Sequence, residues 1–265
     1  MRKKTDIICF VYLALAIIAA AVLTIWAPVY SQDPSLQKLI SETVLRAILL
    51  SAILAIFFTF GYQKRYPLNK KEAWSKSLWL LPCLLGVLAN FPFSSLIQGT
   101  STIERPDYLW LFSVFTLLIG VLEELLFRVI FLDFLLGYLE KKKHGLFFAV
   151  FFDSAIFGLY HLFNLFSGGG FGPTMLQVGY SFLMGGMFAI CLLRTKNILY
   201  PILLHFIFDF GGFLVPMLGH GGFQDTIFWI LTGVFAAISL GHCLVTLYHL
   251  DKENDAKYEA QKEEA

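Results

Sequence analysis

The sequence predicts an all-α fold, a polytopic membrane bundle of about eight transmembrane helices with both termini in the cytoplasm. Three observations carry this reading. Of the 265 residues, 57% are hydrophobic and 28 are phenylalanine, whereas soluble domains are roughly 45–50% apolar. Eight apolar segments each approach the ~20 residues that a helix needs to cross a bilayer. Lysine and arginine fall almost entirely on one side of the segments so defined, as the positive-inside rule requires.

The segments run over about 6–29, 40–62, 76–98, 108–137, 145–166, 174–193, 198–217 and 225–249. Arg2, Lys3 and Lys4 precede the first in the manner of a signal peptide. Its apolar run, about Ile7 to Trp26, is of spanning length, so it counts as a helix. Pro82 and Asn90–Pro92 interrupt the third segment and predict a kink. The fourth is longer than a bilayer requires, which predicts tilt or an extension past the surface. Ser167–Pro173 (SGGGFGP) reads as a flexible outer connection.

Sixteen of the 20 basic residues gather on one side: Arg2, Lys3 and Lys4; Lys64, Arg65, Lys70, Lys71 and Lys76; Lys141, Lys142 and Lys143; Arg194 and Lys196; Lys252, Lys257 and Lys262. Lys38 and Arg105 lie opposite, and Arg46 and Arg128 fall within spans. Both termini and the even-numbered loops are therefore expected in the cytoplasm. Residues 1–250 read as the bundle and 251–265 as a polar cytoplasmic tail, either a solvated helix or a disordered end. A net charge of +1 gives no basis for nucleic-acid binding. Cys9, Cys83, Cys191 and Cys243 sit in apolar runs without CxxC spacing, so they read as packing residues with no disulfide or metal role.

Against this background the charges inside spans stand out. Leu122-Glu123-Glu124-Leu125-Leu126-Phe127-Arg128 places three in one apolar run. A charge at the bilayer centre costs a few kcal/mol, so such residues face protein and usually mark function. Glu124 and Arg128 are four apart and can pair on one helix face. Glu123 is rotated by about 100° and is left for another task. The fifth span carries Asp153, Phe157 and His161, and the seventh carries His205 and Asp209 on one face. Asp153 reads as structural, Phe157 as packing, and Asp133 as a water-exposed residue at a helix end.

One carboxylate, two histidines and an aspartate on three helices are expensive to bury separately. They become tolerable if they meet around water. A carboxylate beside a histidine can then deprotonate water, and a second polar pair can hold the oxyanion formed when that water attacks a carbonyl. The same residue types could instead hold zinc with one open position. Neither HExxH nor GxGD occurs, and Gly179-Tyr180-Ser181-Phe182 lacks the last glycine of a GxSG serine motif.

Glu123-Glu124-x-x-x-Arg128 resembles the first motif of the CAAX protease and bacteriocin-processing family, also called Abi or CPBP. Phe157-x-x-x-His161 resembles the second and His205-x-x-x-Asp209 the third, in the same order, over about residues 108–217. The resemblance implies an intramembrane endopeptidase of glutamate type. Glu123 would activate water with His161 as its partner, and His205 with the residue four later would form the oxyanion pocket. Arg128 would pair with Glu124 to support the first motif, with Phe157 as a further support. Many relatives carry Asn where this chain has Asp209. An ionised aspartate cannot donate a hydrogen bond, so Asp209 is assigned to orienting His205.

The resemblance further implies no cofactor, zinc included. The expected substrate is a membrane-associated peptide or protein, in peptide maturation or bacteriocin immunity, and the expected partners are that substrate and the lipid bilayer. Short loops point to a bacterial cell membrane. The competing expectations are a non-catalytic immunity or scaffold protein and a proton-coupled transporter. At ~1.5 Å per residue, Glu123 lies about 20 Å and His161 about 24 Å from the cytoplasmic ends of their helices, but His205 only about 10 Å.

Overall fold

The computed structural model describes residues 2–66, 77–139, 141–166 and 168–263, with the side chains at 2–7, 9, 10, 77, 261 and 262 left aside. Lys70, Lys71, Lys76 and Ser167 lie outside the described residues, as do the side chains of Arg2, Lys3, Lys4, Cys9 and Lys262. The chain is helical almost throughout. In order it forms α1 (Arg2–Trp26), α2 (Pro34–Thr59), α3 (Tyr62–Arg65), α4 (Leu81–Leu88), α5 (Phe93–Gln98) and α6 (Leu109–Glu124). A π-helical turn, Leu125–Phe131, runs on into α7 (Leu132–Leu139). Then come α8 (Gly145–Tyr160), α9 (Phe171–Thr195), α10 (Leu199–Leu218) and α11 (Thr226–Glu263).

Among the described residues, five helices are long and apolar enough to cross a membrane: Pro34–Thr59, Gly145–Leu165, Phe171–Thr195, Leu199–Leu218 and Thr226–Ala260. Val11–Trp26 and Leu78–Leu88 are shorter apolar stretches. Large apolar side chains such as Ile18, Ile25, Leu244 and Val245 point outward, as a lipid-facing surface requires. The chain is a multi-pass membrane protein.

The boundaries have local causes. The Asp33 carboxylate accepts from the backbone N–H of Ser35 and Leu36, and Pro34 opens α2 where no N–H is needed. α2 therefore starts six residues before the span read from hydropathy. The expected third span is broken, not merely kinked. A 3₁₀ turn leads into α4, which ends at Leu88, and α5 begins only after Pro92. α9 begins at Phe171, taking in Pro173, because a proline in the first helical turn forfeits no intrahelical bond. The expected tail is helical: α11 continues through Glu263. Asp251 at its start accepts from the N–H of Phe147 at 3.0 Å, and Asp255 from that of His144 at 2.8 Å, so the tail caps the N-terminus of α8.

Loops at each end of the bundle tie to one another. At one end a two-stranded antiparallel ribbon pairs β1 (Ser101–Ile103) with β2 (Gly219–Gly221), which the all-α reading did not contain. A Cβ at Gly219 would collide with the Thr102 carbonyl oxygen, and Gly221 has φ +100°, so only glycine builds this ribbon. Arg105 pairs there with Asp33 and Asp107, and the Ser94 hydroxyl donates to Asp225. At the other end Asp133 accepts from the Tyr66 hydroxyl at 2.7 Å and from Arg65. Asp133 is thus a clamp between α7 and the segment after α2; the expectation of a merely wetted residue fails because a phenol and a guanidinium reach it first. Inside, α6 packs on α10 and on α2, α8 on α9, and α11 crosses α4, α8 and α9.

Candidate active site

The site forms where α6, the π turn, α8 and α10 meet. Three glycines permit the close crossings. A Cβ at Gly120 would stand 3.1 Å from the Ile202 carbonyl oxygen and 3.2 Å from the Phe206 nitrogen, so α6 and α10 touch backbone to backbone. Gly158 plays the same part against Val178 of α9. At Gly185 a Cβ would press on Phe157, Ser154 and Arg128. Small residues at such crossings let membrane helices approach closely.

His205 is the hub. Its Nδ1 lies 2.8 Å from Glu124 Oε1. Its Nε2 lies 3.8 Å from Glu123 Oε2 and 3.5 Å from Asp209 Oδ2. Its ring stacks on Phe188, with centroids 5.1 Å apart. Glu124 therefore does two things at once, since its other oxygen accepts from Arg128 Nε at 3.1 Å. Arg128 also donates to Asp153. Glu124, Arg128 and Asp153 have no solvent exposure, whereas the Glu123 side chain retains 16%. The wider π turn carries Arg128; such turns recur at functional sites. Four carboxyls thus surround one guanidinium and one imidazole.

Phe157 is the wall between the histidines. Its ring lies edge-on to His161 at 5.2 Å and to His205 at 6.0 Å, with the Arg128 guanidinium 4.5 Å from its centroid. His161 opens the 3₁₀ turn that ends α8. Its Nδ1 donates to the Phe157 carbonyl at 2.9 Å, which fixes the tautomer and leaves the lone pair on Nε2. The structure thus gathers Glu123, Glu124 and Asp209 around His205. Among the described residues no hydrogen bond or ion pair joins His161 to Glu123.

Burial alternates along the connection between α9 and α10: Thr195, Asn197 and Ile198 are buried, whereas Arg194 and Lys196 are exposed. Tyr66 packs in the same apolar cluster as Ile198 and Ile202, covering that end.

Sequence reasoning gave Arg46 no role. It lies on α2 within electrostatic range of Glu123 and Asp209, bonded to Glu42 and 5.0 Å from the centre of the Phe115 ring. The signal was present, because Arg46 is also a charge inside an apolar span. The second role of Glu124, toward His205, had no sequence signal. A cleft of about 360 Å³ opens beside the hub between α4, α8, α9, α10 and α11, with Asp209 in its wall.

Among the described residues the only metal-like grouping is His144, Asp251 and Asp255, away from the hub and already engaged in capping α8. A family model described as Type II CAAX prenyl endopeptidase Rce1-like matches residues 105–211. Residues 105–211 belong to the CAAX protease family. This CAAX-protease segment contains Glu123, Glu124, Arg128, Asp153, Phe157, His161, His205 and Asp209. No curated protein and no solved structure matches the chain.

Proposed function

We propose that this protein is a glutamate-type intramembrane endopeptidase that hydrolyses a peptide bond in a membrane-associated peptide or protein. The observation that carries the reading is Glu123 Oε2 at 3.8 Å from His205 Nε2, at the most exposed acid of the hub, inside the CAAX-protease segment. The separation exceeds a direct hydrogen bond and suits groups that share a water or a carbonyl oxygen.

In this mechanism Glu123 removes a proton from water as the water oxygen bonds to the carbonyl carbon, and the carbonyl π pair moves onto oxygen. His205 donates to that oxygen from Nε2 while Glu124 anchors its Nδ1. His161, with its lone pair on Nε2, assists Glu123. Collapse re-forms the carbonyl and breaks the C–N bond, and the proton held by Glu123 passes to the leaving nitrogen. Asp209 orients His205, and Arg128 holds Glu124 against Asp153. Each of these steps is assigned to a side chain of the site.

The finer layout belongs to the same proposal. Eight crossings result if α1, the broken segment 77–98 and the run 109–139 are added to the five long helices. The basic residues then set both termini in the cytoplasm of a bacterial cell, with a role in peptide maturation or bacteriocin immunity.

The test is purified full-length protein with an internally quenched, farnesylated CAAX peptide, alongside comparative peptidomics of membranes. Glu123→Gln is expected to lower kcat by at least 10³-fold with an unchanged unfolding temperature. Wild-type cleavage by folded Glu123→Gln protein would sink the reading. Immunity that survives replacement of both Glu123 and His161 would instead mark a binding protein.

A further inference from the structure

We propose that Tyr180 is a catalytic residue of this site: its hydroxyl donates a hydrogen bond to the carbonyl oxygen under attack, from the side of the cleft. The inference rests on the peptidase reading and adds to it the donor that reading lacks.

The shortage follows from Asp209. An oxyanion pocket is commonly built from two donors aimed at where charge develops. His205 supplies one through Nε2. Asp209, the side chain 3.5 Å from that nitrogen, is a carboxylate, and an ionised carboxylate offers none. A second donor must come from elsewhere, and the cleft is the open space beside Asp209.

The cleft's side-chain donors can be taken in turn. The Ser154 hydroxyl donates to the Val150 carbonyl at 2.6 Å, that of Thr232 to Ala89 at 3.2 Å, and that of Ser239 to Pro82 at 2.5 Å. The Asn90 amide donates to the Phe208 carbonyl at 2.8 Å. Gln224 lies in the connection that follows α10 and Trp229 in the first turn of α11, whereas Asp209 is midway along α10. Tyr180 remains. Its hydroxyl makes no hydrogen bond among the described residues, and it lines the same cleft as Asp209. Its ring packs on Phe208, the chain neighbour of Asp209, with centroids 5.7 Å apart. It lies within electrostatic range of both Asp209 and Glu123. A phenol is also neutral at working pH and can bring its O–H into an apolar cleft without burying a charge.

The step transfers no proton to or from Tyr180. The hydroxyl strengthens its bond as the carbonyl oxygen gains the π pair and relaxes as the C–N bond breaks.

The experiment compares wild type, Tyr180→Phe, Asp209→Asn and the double variant on the quenched farnesylated peptide, with Glu123→Gln beside them. Loss of one oxyanion donor costs about 10²–10³-fold in kcat. Tyr180→Phe is expected to fall by about 10²-fold in kcat with KM within about twofold and the unfolding temperature unchanged. Asparagine at 209 restores an amide donor, so in that background the Tyr180→Phe loss is expected to shrink below about tenfold. Wild-type kcat in Tyr180→Phe would overturn the inference, as would a loss confined to KM or one undiminished by Asp209→Asn. An inactive Glu123→Gln beside a normal Tyr180→Phe refutes the inference alone, whereas an active Glu123→Gln refutes the peptidase reading itself.

Discussion

Two arginines in this chain each hold two carboxylates, in opposite settings. Arg128 joins Glu124 and Asp153 with no solvent exposure on any of the three. Arg105 joins Asp33 and Asp107 in loops at the end of the bundle, with 30% of its own side chain exposed. The difference lies in what each network is fastened to. Arg105 fixes a loop to the N-cap of α2. Arg128 fixes Glu124, and Glu124 fixes His205, so the buried network is continuous with the site. A buried ion network is weak evidence for stability in itself, but removing one partner strands uncompensated charge. An exposed pair is screened and adds little.

The contrast can be broken most forcibly at Arg128. Arg128→Met leaves Asp153 without its ion-pair partner and Glu124 with His205 alone, at a cost of about 3–5 kcal/mol. The expected result is loss of folded protein from membranes by gel filtration, with partial recovery in the triple variant that also carries Glu124→Gln and Asp153→Asn. Equal yields of Arg128→Met and wild type would erase the distinction between the two networks.

A second change sharpens the comparison within the interior, because it leaves every charge in place. Gly120→Ala puts a methyl against the backbone of Ile202 and Phe206, where no side chain can yield. α6 and α10 must then part by a few tenths of an ångström, separating Glu123 and Glu124 from His205. Peptidase activity is expected to drop about tenfold with folding retained, measured as kcat beside the melting curve. Misplacement on the ångström scale is enough to cost up to 10²-fold.

The smallest effect belongs to the exposed network. Hydrogen bonds from Arg105, above all, hold the Asp33 and Asp107 carboxyls below the usual carboxylate range. A carboxyl lowered in the folded state stabilises fully above its unfolded value, about 3.9 for aspartate, and loses that contribution as pH falls through the folded value. Arg105→Gln is therefore expected to lower the unfolding temperature slightly at pH 7. The gap from wild type should close as the pH drops below about 4. A gap that widens on acidification would contradict the assigned ion pairs.

Much of this was legible before any coordinates. Hydropathy located the apolar helices, and the cost of membrane charge singled out Glu123, Glu124 and Arg128. The three motif spacings chose His161, His205 and Asp209. Arg46 was visible by the same rule and lacked only a partner to give it meaning. Other features left no such trace. Glu124 touches His205 across 81 positions of sequence. Asp133 meets Tyr66 across 67. The break of the third segment at Asn90–Pro92 depends on what packs around it, because proline alone permits either a kink or a stop.

The sequence by itself determined which residues are apolar and which ionisable groups must lie inside protein. Those are local matters of side-chain chemistry and backbone geometry. Tertiary structure alone decided that His205 is the hub and that Tyr180 shares a cleft with Asp209. Each depends on helices far apart in sequence approaching at glycines, and a crossing distance is a property of two surfaces together.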